Sequence, residues 1–337
     1  MHIVLFGGTG FIGAHYARHL LETHPDAQVL LCDLEPLDET RYAPALQQAL
    51  RDPRCSFRTL DVRQPIPTDL VSGPVDLIAN FAAIHREPGF EPHEYWETNI
   101  PGAENVTSYA RAVGCKTIVF TSSISPYGLS HAARDERSLT MPATPYGSSK
   151  LAAEKIHQVW QAESPDHRLL IARPGVVFGA GEGGNVTRMV KFVRKGLFVY
   201  FGNRGVRKSG IFVKELCRIF SWGLQNLGDP AFCNLRPGAA LLNASFDPPP
   251  SVEDYVTTIK KVGGFRRPII SVPYGLLFFA SFFCFGIAGI HPVRVRKLIR
   301  PNLILPTFLK EKNYPWTWTF ESALEDWKAE LPEDWGA

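Results

Sequence analysis

A tyrosine and a lysine four residues apart, Tyr146 and Lys150 in the run Tyr146-Gly147-Ser148-Ser149-Lys150, are the side chains in this sequence most suited to chemistry. On a helix that spacing stacks both on one face. An ammonium one turn from a phenol stabilises the phenolate, so the spacing predicts a Tyr146 pKa lowered toward a working range. Such a phenol can take a proton from an alcohol while a hydride leaves the same carbon. Taken alone, the pair would be an ordinary surface pair. Its placement argues otherwise, because it follows an apolar run, Lys116 to Thr121, that leads into Ser122, Ser123, Ile124, Ser125, Pro126, Tyr127 and Gly128. Hydroxyls at the end of a strand can bind a developing alkoxide or carbonyl oxygen. The same residues also suit a plain Ser-Pro-Gly turn.

A second constellation supplies the partner for that chemistry. Gly7-Gly8-Thr9-Gly10-Phe11-Ile12-Gly13 comes directly after a first apolar run and opens a helical pattern through Ala14, Ala17 and Leu20. Glycines in this context let the backbone turn tightly and approach a pyrophosphate, which the helix N-terminus then stabilises. Asp33 ends the second apolar run, twenty residues after Gly13. There a carboxylate can accept from both adenosine ribose hydroxyls and repel a 2′-phosphate, and Leu34 and Glu35 follow where an arginine would favour NADP. NAD is the expected cofactor.

The elements that must position these groups are legible in the first 175 residues. Short runs rich in Val, Ile, Leu and Phe alternate with helical patterns: His2 to Phe6, Gln28 to Cys32, Phe57 to Leu60, Val75 to Phe81, Thr117 to Thr121 and Leu169 to Ala172. Continuous apolar strands separated by helices predict a doubly wound α/β parallel sheet covered on both faces, with its site at the carboxyl ends of the strands. After Gly179 the rhythm breaks into glycine-rich loops, isolated helices and Pro248-Pro249-Pro250. The division expected is 1–178 for the nucleotide-binding domain and 179–337 for a smaller substrate-binding lobe, with some late strands or helices returning to the first domain.

The bulk numbers exclude several classes. With 337 residues, 45% hydrophobic and 20% charged, the chain has the composition of a globular protein rather than a disordered one. A net charge of +3 without a broad basic face argues against nucleic acid as a partner. The six cysteines form no CxxC pair, and His15 and His19, which share a helix face, lack a third ligand, so no disulfide framework and no metal site is expected. Met1 to Phe6 reads as a buried strand, which leaves no room for a signal peptide and predicts a cytoplasmic setting with reduced thiols. One run stands apart: Ile269 to Ile290 carries no charge and precedes Arg294, Arg296, Lys297 and Arg300. It reads either as a buried or dimer-facing helix broken by Pro273, Gly275, Gly286 and Gly289, or as a peripheral membrane contact through 269–300.

Taken in order, Gly7 to Gly13, Asp33, Asp61-Val62, Asn80-Phe81-Ala82-Ala83, Asn99, Ser122-Ser123, Tyr146 to Lys150 and Arg173-Pro174-Gly175 resemble the extended short-chain dehydrogenase/reductases, specifically the NAD-dependent sugar epimerase/dehydratase family. The resemblance implies a Rossmann-type fold, NAD, and a homodimer. It places Gly7, Gly10, Phe11, Ile12, Gly13, Asp33, Asp61, Val62, Phe81, Ala82, Ala83, Thr121, Pro174 and Val176 along the cofactor. It also implies that Asn99 orders the region of Lys150, that Lys150 holds the nicotinamide ribose, that Ser123 orients the substrate hydroxyl and that Tyr146 is the base and later the acid. His85 stands where galactose-type epimerases carry a lysine, and Ser125, Asn185, Arg207 and Lys208 are the candidates for the rest of a nucleotide-sugar site. The departures are informative. Ile124 and Ser125 replace the dehydratases' acidic pair, which disfavours loss of water; Val176 replaces an asparagine that touches substrate; Glu215 stands in the V-x-D position. The activity implied is epimerisation of a nucleotide-activated sugar through a transient keto intermediate. The alternative, similar to the 3β-hydroxysteroid dehydrogenase branch, is net oxidation or reduction of a lipid-like or lipid-linked alcohol. A non-catalytic NAD-binding regulator is a third reading, against which the intact Ser, Tyr and Lys set argues.

Overall fold

The computed structural model describes residues 1–38, 40–87, 89–130, 132–201, 203–272 and 302–336. Its centre is a seven-stranded sheet in which every pairing is parallel: β1 (His2–Phe6), β2 (Gln28–Asp33), β3 (Cys55–Thr59), β4 (Leu77–Asn80), β5 (Thr117–Thr121), β6 (Arg168–Pro174) and a late strand, β10 (Ala239–Ala244). The order across the sheet is β10-β6-β5-β4-β1-β2-β3. That order reverses direction between β1 and β4, and the crevice outside the strand ends at such a reversal is where open α/β sheets bind ligands.

Alternation along single strands shows why the runs are apolar throughout. Ile3 and Leu5 of β1 pack in one core with Leu20, Leu170, Phe220 and Leu242, whereas Val4 and Phe6 pack in another with Val106, Phe120, Trp160 and Ile171. Successive side chains point to opposite faces, so a strand covered on both sides must be hydrophobic at every position. The first core is covered by α1 (Phe11–Thr23) and α6 (Val213–Asn226), and the second by α3 (Pro92–Ala112) and α4 (Pro145–Ala162). A third core, with Phe178, Val190, Phe212, Tyr255 and Trp327 at its centre, joins α5 (Asn185–Lys195), α7 (Val252–Gly263) and α9 (Phe320–Glu330).

The six expected strands are present, with shifted ends. The run Val75 to Phe81 contributes only Leu77–Asn80, and the third strand begins at Cys55. The seventh, β10, pairs along its whole length with β6, from Ala239 beside Leu169 to Ala244 beside Pro174. Two short parallel pairs lie outside this sheet: β7 (Val176–Phe178) with β9 (Gly210–Phe212), and β8 (Tyr200–Phe201) with β11 (Ser271–Val272). The charge-free run expected at 269–290, and the basic residues up to Arg300, lie outside the described residues beyond Val272. Among the described residues no helix is long and apolar enough to cross a membrane.

Candidate active site

The turn after β1 is closed by backbone approach. A Cβ on Gly13 would come 2.3 Å from the Gly7 carbonyl oxygen and 2.7 Å from Gly8 Cα, and one on Gly7, whose φ is +75°, would come 2.6 Å from the Ala82 nitrogen. Only glycine lets β1, α1 and the segment after β4 converge in this way. Gly10 caps α1 without a side-chain hydrogen bond, and no acidic residue occupies its first turn, which leaves the positive helix end suited to an anion. Asp33 closes β2 beside it: the amide of Thr9 donates to Oδ2 at 3.3 Å and that of Leu34 to Oδ1 at 2.9 Å. At the ends of the two central strands, Thr121 Oγ1 and Asn80 Oδ1 are buried without a hydrogen-bond partner among the described residues. A glycine cradle, an uncapped helix end, a strand-end carboxylate and orphaned polar atoms at the ends of β4 and β5 together fit a dinucleotide.

Thr144 and Pro145 fix where Tyr146 and Lys150 stand. The Thr144 hydroxyl accepts from the Gly147 amide and Pro145 takes the first helical position, so α4 starts just before Tyr146. Tyr146 and Lys150 therefore both lie within the helix. Asn99 of α3 joins two segments here: its Oδ1 accepts from the Ile84 amide at 3.0 Å, and its Nδ2 donates to Ser149 Oγ at 2.9 Å. Ser149 Oγ in turn donates to the Tyr146 carbonyl at 2.9 Å. The Ser123 hydroxyl acts on the phenol, pulling its pKa down, and Ser123 Oγ donates to Ser125 Oγ at 3.1 Å. The Tyr95 ring stands 6.0 Å from that of Tyr146. The structure thus brings Ser123, Ser125, Tyr146, Lys150 and Asn99 together beyond the end of β5, where a 3-10 turn (Ser125–Tyr127) forms.

One electrostatic expectation is corrected. Tyr146 is pushed up to about 12 rather than lowered, because burial outweighs the lowering effect of Ser123 and because Glu87 and Tyr95 add to the rise. Lys150 is pushed down to about 7 by its own burial, which Glu154 partly offsets. Its ammonium lies 4.3 Å over the Phe120 ring. Desolvation dominates both groups, and Lys150 is not among the charges that act on the Tyr146 phenol. His85 is likewise held below the usual histidine range by desolvation of its ring, with Arg86 and Lys150 adding to the effect.

Other predicted residues have visible commitments. The Phe81 ring stacks on Phe220 at 5.5 Å and meets Tyr16, so it is the backbone of Phe81 and Ala82 that faces Gly7. Ala83 follows in the same segment, and burial leaves Val62 against Gly102. The Asp61 carboxylate is chelated by Arg63, with contacts of 2.7 to 3.0 Å, which pulls its pKa below the ordinary value. Pro174 ends β6 and Val176 opens β7. Asn185 starts α5 and accepts from Arg188, and Arg207 donates to the Pro249 carbonyl at 2.6 Å. Lys208 is pushed down to about 8 by burial. Glu215 is a structural anchor: it accepts from the amides of Thr317 and Trp318 and from the Tyr314 hydroxyl, holding the segment before α9. His15 bonds the Ala180 carbonyl and His19 the Ser221 hydroxyl. Two residues had no functional reading from sequence: Glu154, four after Lys150, and Glu136, half-buried between β10 and α8 (Thr307–Glu311).

Residues 3–234 match the sequence family described as the NAD dependent epimerase/dehydratase family. Among curated relatives, the N-acetyl-alpha-D-glucosaminyl-diphospho-ditrans,octacis-undecaprenol 4-epimerase of Escherichia coli O157:H7 is 26% identical over 335 residues, which is 96% of this chain and 93% of that protein. A UDP-glucose 4-epimerase of Yersinia pestis is 24% identical over 291 residues, covering 78% of this chain and 83% of the relative. Among solved structures, the UDP-glucuronic acid 4-epimerase from Bacillus cereus in complex with NAD superposes with a TM-score of 0.75 at 18% identity, covering 99% of this chain and 100% of that one. The UDP-Glc/GlcNAc 4-epimerase of Campylobacter jejuni gives 0.73 at 18% identity, covering 98% of this chain and 99% of the other.

Proposed function

The chain belongs to the NAD-dependent epimerase/dehydratase family, an enzyme family whose cofactor is NAD, and on that premise we propose that it inverts the C4 carbinol of a sugar activated through a diphosphate, in the first reading a nucleotide sugar. The observation that carries this reading is the convergence of Ser123, Tyr146 and Lys150 on the end of β5, beside the glycine turn. NAD held at the glycine turn would supply the reversible hydride acceptor that such an inversion needs. Tyr146 removes the hydroxyl proton and gives it back, and Ser123 hydrogen-bonds the oxygen as it passes between alcohol and ketone. The Lys150 ammonium favours the phenolate once the site is closed to water, since charge interactions strengthen as solvent leaves. Asn99 holds the first turn of α4 through Ser149. Ile124 and Ser125 offer no acid to expel water, in keeping with epimerisation rather than dehydration.

A second reading keeps the chemistry and changes the carrier: a sugar linked by diphosphate to a polyprenyl lipid. Two observations favour it, the near full-length alignment with the undecaprenol-linked epimerase of Escherichia coli and the charge-free run at 269–290 followed by four basic residues. A homodimer through the exposed faces of α3 and α4, where Trp96 and Val159 are 42% and 61% exposed, belongs to either reading. Gel filtration tests it.

The deciding experiment offers the purified protein UDP-glucose, UDP-N-acetylglucosamine and polyprenyl-diphospho-N-acetylglucosamine, and follows both the C4 epimer and NADH. Epimer without net NADH supports the proposal, and the substrate turned over fastest names the carrier. Stoichiometric NADH would replace it with a dehydrogenase. Cosedimentation with anionic liposomes separates the carriers further, because only a lipid-linked substrate requires membrane contact.

A further inference from the structure

Helix α4 buries a row of polar side chains. Lys150, Glu154, His157 and Gln161, spaced four, three and four residues apart, are 3%, 0%, 0% and 1% exposed. Such a row is costly unless each member is partnered. His157 bonds the Ala153 carbonyl at 2.8 Å, and Gln161 donates to the carbonyls of His167 and Pro237. Glu154 has the richest set: Oε1 accepts from the Ser122 hydroxyl and from Arg173 Nε at 2.8 Å, and Oε2 accepts from Arg173 Nη2 at 2.6 Å. Ser122 directly precedes Ser123, and Arg173, near the end of β6, also lies 4.7 Å over the Tyr127 ring of the 3-10 turn. One carboxylate therefore ties together the two elements that carry the catalytic groups and the strand beside them.

We propose that Glu154 is a positioning residue for the reaction: it locks the Ser122-Ser123 segment against the helix bearing Tyr146 and Lys150, and places a negative countercharge one turn from the Lys150 ammonium. The proposal rests on the epimerase reading for what the site does. The titratable and charged groups around Lys150 are Glu154, His157 and Tyr146 on α4, His85 from the segment after β4, and Arg173 of β6 acting through Glu154. Against Tyr146 stand Tyr95 of α3 and Glu87, Tyr127 comes from the 3-10 turn, and β5 contributes the Phe120 ring. Of the charges that act on Lys150, Glu154 is the one that favours the ammonium against burial.

The test begins without substrate. In protein carrying 13C-labelled lysine, the Lys150 resonance, assigned by its loss in Lys150→Arg, is titrated against pH. Glu154→Gln removes the charge and keeps an acceptor for Ser122, but leaves Arg173 buried without a counterion. The double variant Glu154→Gln with Arg173→Met is therefore the safer fold. In whichever folds, the Lys150 midpoint is expected about one pH unit lower, a tenfold loss of proton affinity. Ser122→Ala should leave the midpoint in place and lower kcat on the order of tenfold to a hundredfold with NAD affinity unchanged. A folded charge variant that titrates like the wild type, or Ser122→Ala with wild-type kcat, overturns the proposal; should neither charge variant fold, Ser122→Ala decides it. A Lys150 shift in a protein inactive on every sugar would instead fault the epimerase reading and leave the electrostatic role of Glu154 standing.

Discussion

Replacing Gly13 by alanine probes the cofactor cradle with a magnitude set by geometry. The new Cβ would lie 2.3 Å from the Gly7 carbonyl oxygen, against 3.4 Å for an ordinary contact, so the start of α1 must retreat by about 1.1 Å. The obstacle cannot yield instead, because the Gly7 and Gly8 amides are both fastened to the Cys32 carbonyl, at 2.9 and 3.2 Å. Overpacking of this kind costs about 1–3 kcal/mol, or a fall in Tm of roughly 2–10 °C. A helix end moved back by that distance also loses hydrogen bonds to a pyrophosphate, worth about 1.5–3 kcal/mol each with a charged partner. NAD should therefore bind about tenfold to a hundredfold more weakly by isothermal titration calorimetry. The control is Gly114→Ala: its φ is +67° with no atom within 4 Å of the new Cβ, so it carries backbone strain but leaves the cradle intact. If Gly13→Ala binds NAD within threefold of the wild type and Gly114→Ala behaves identically, the close-approach argument is wrong.

Tyr146→Phe should retain NAD affinity while kcat falls on the order of a hundredfold to ten-thousandfold, as for lost acid–base catalysis; turnover near the wild-type value would remove Tyr146 as the proton carrier. Asp33→Ala should weaken NAD binding about tenfold or more and narrow its preference over NADP, and an unchanged ratio of the two dissociation constants would take Asp33 away from the ribose. Glu136 gives a pH signature. Burial raises it to about 7 although the amides of Asn243 and Phe308 donate to it, so the folded state holds its proton more tightly than the unfolded one. Its stabilising contribution is then fully present below about 4.5 and is lost as pH rises through about 7. Urea denaturation across that window should show the wild type losing stability relative to Glu136→Gln, and parallel curves would contradict the shift.

Most of the sheet was readable because inner strands such as β1, β4 and β5, buried on both faces, are apolar almost throughout. β10 escaped notice for the opposite reason. Ala239, Ala240, Asn243 and Ala244 have little intrinsic preference for extended structure, and pairing with β6 together with the cover of α6 imposes it. The Tyr146–Lys150 pair was visible because its spacing is local. What surrounds it was not, since Ser122, Glu154 and Arg173 meet only when β5, α4 and β6 are already adjacent. The direction of the Tyr146 shift was misread on the same account: a four-residue interval reveals a neighbouring cation but says nothing about how much water the fold removes.

The placement of β10 bears on how this chain could be cut or recombined. The family match ends at residue 234, short of Ala239, yet β6 depends on β10 to satisfy its outer backbone groups. A fragment trimmed to the matched region would present Leu169 to Ala172 as a bare hydrophobic border with unpaired amides and carbonyls, a template for self-association. Any transplant or shortened version that is to remain monodisperse must extend at least through Ala244.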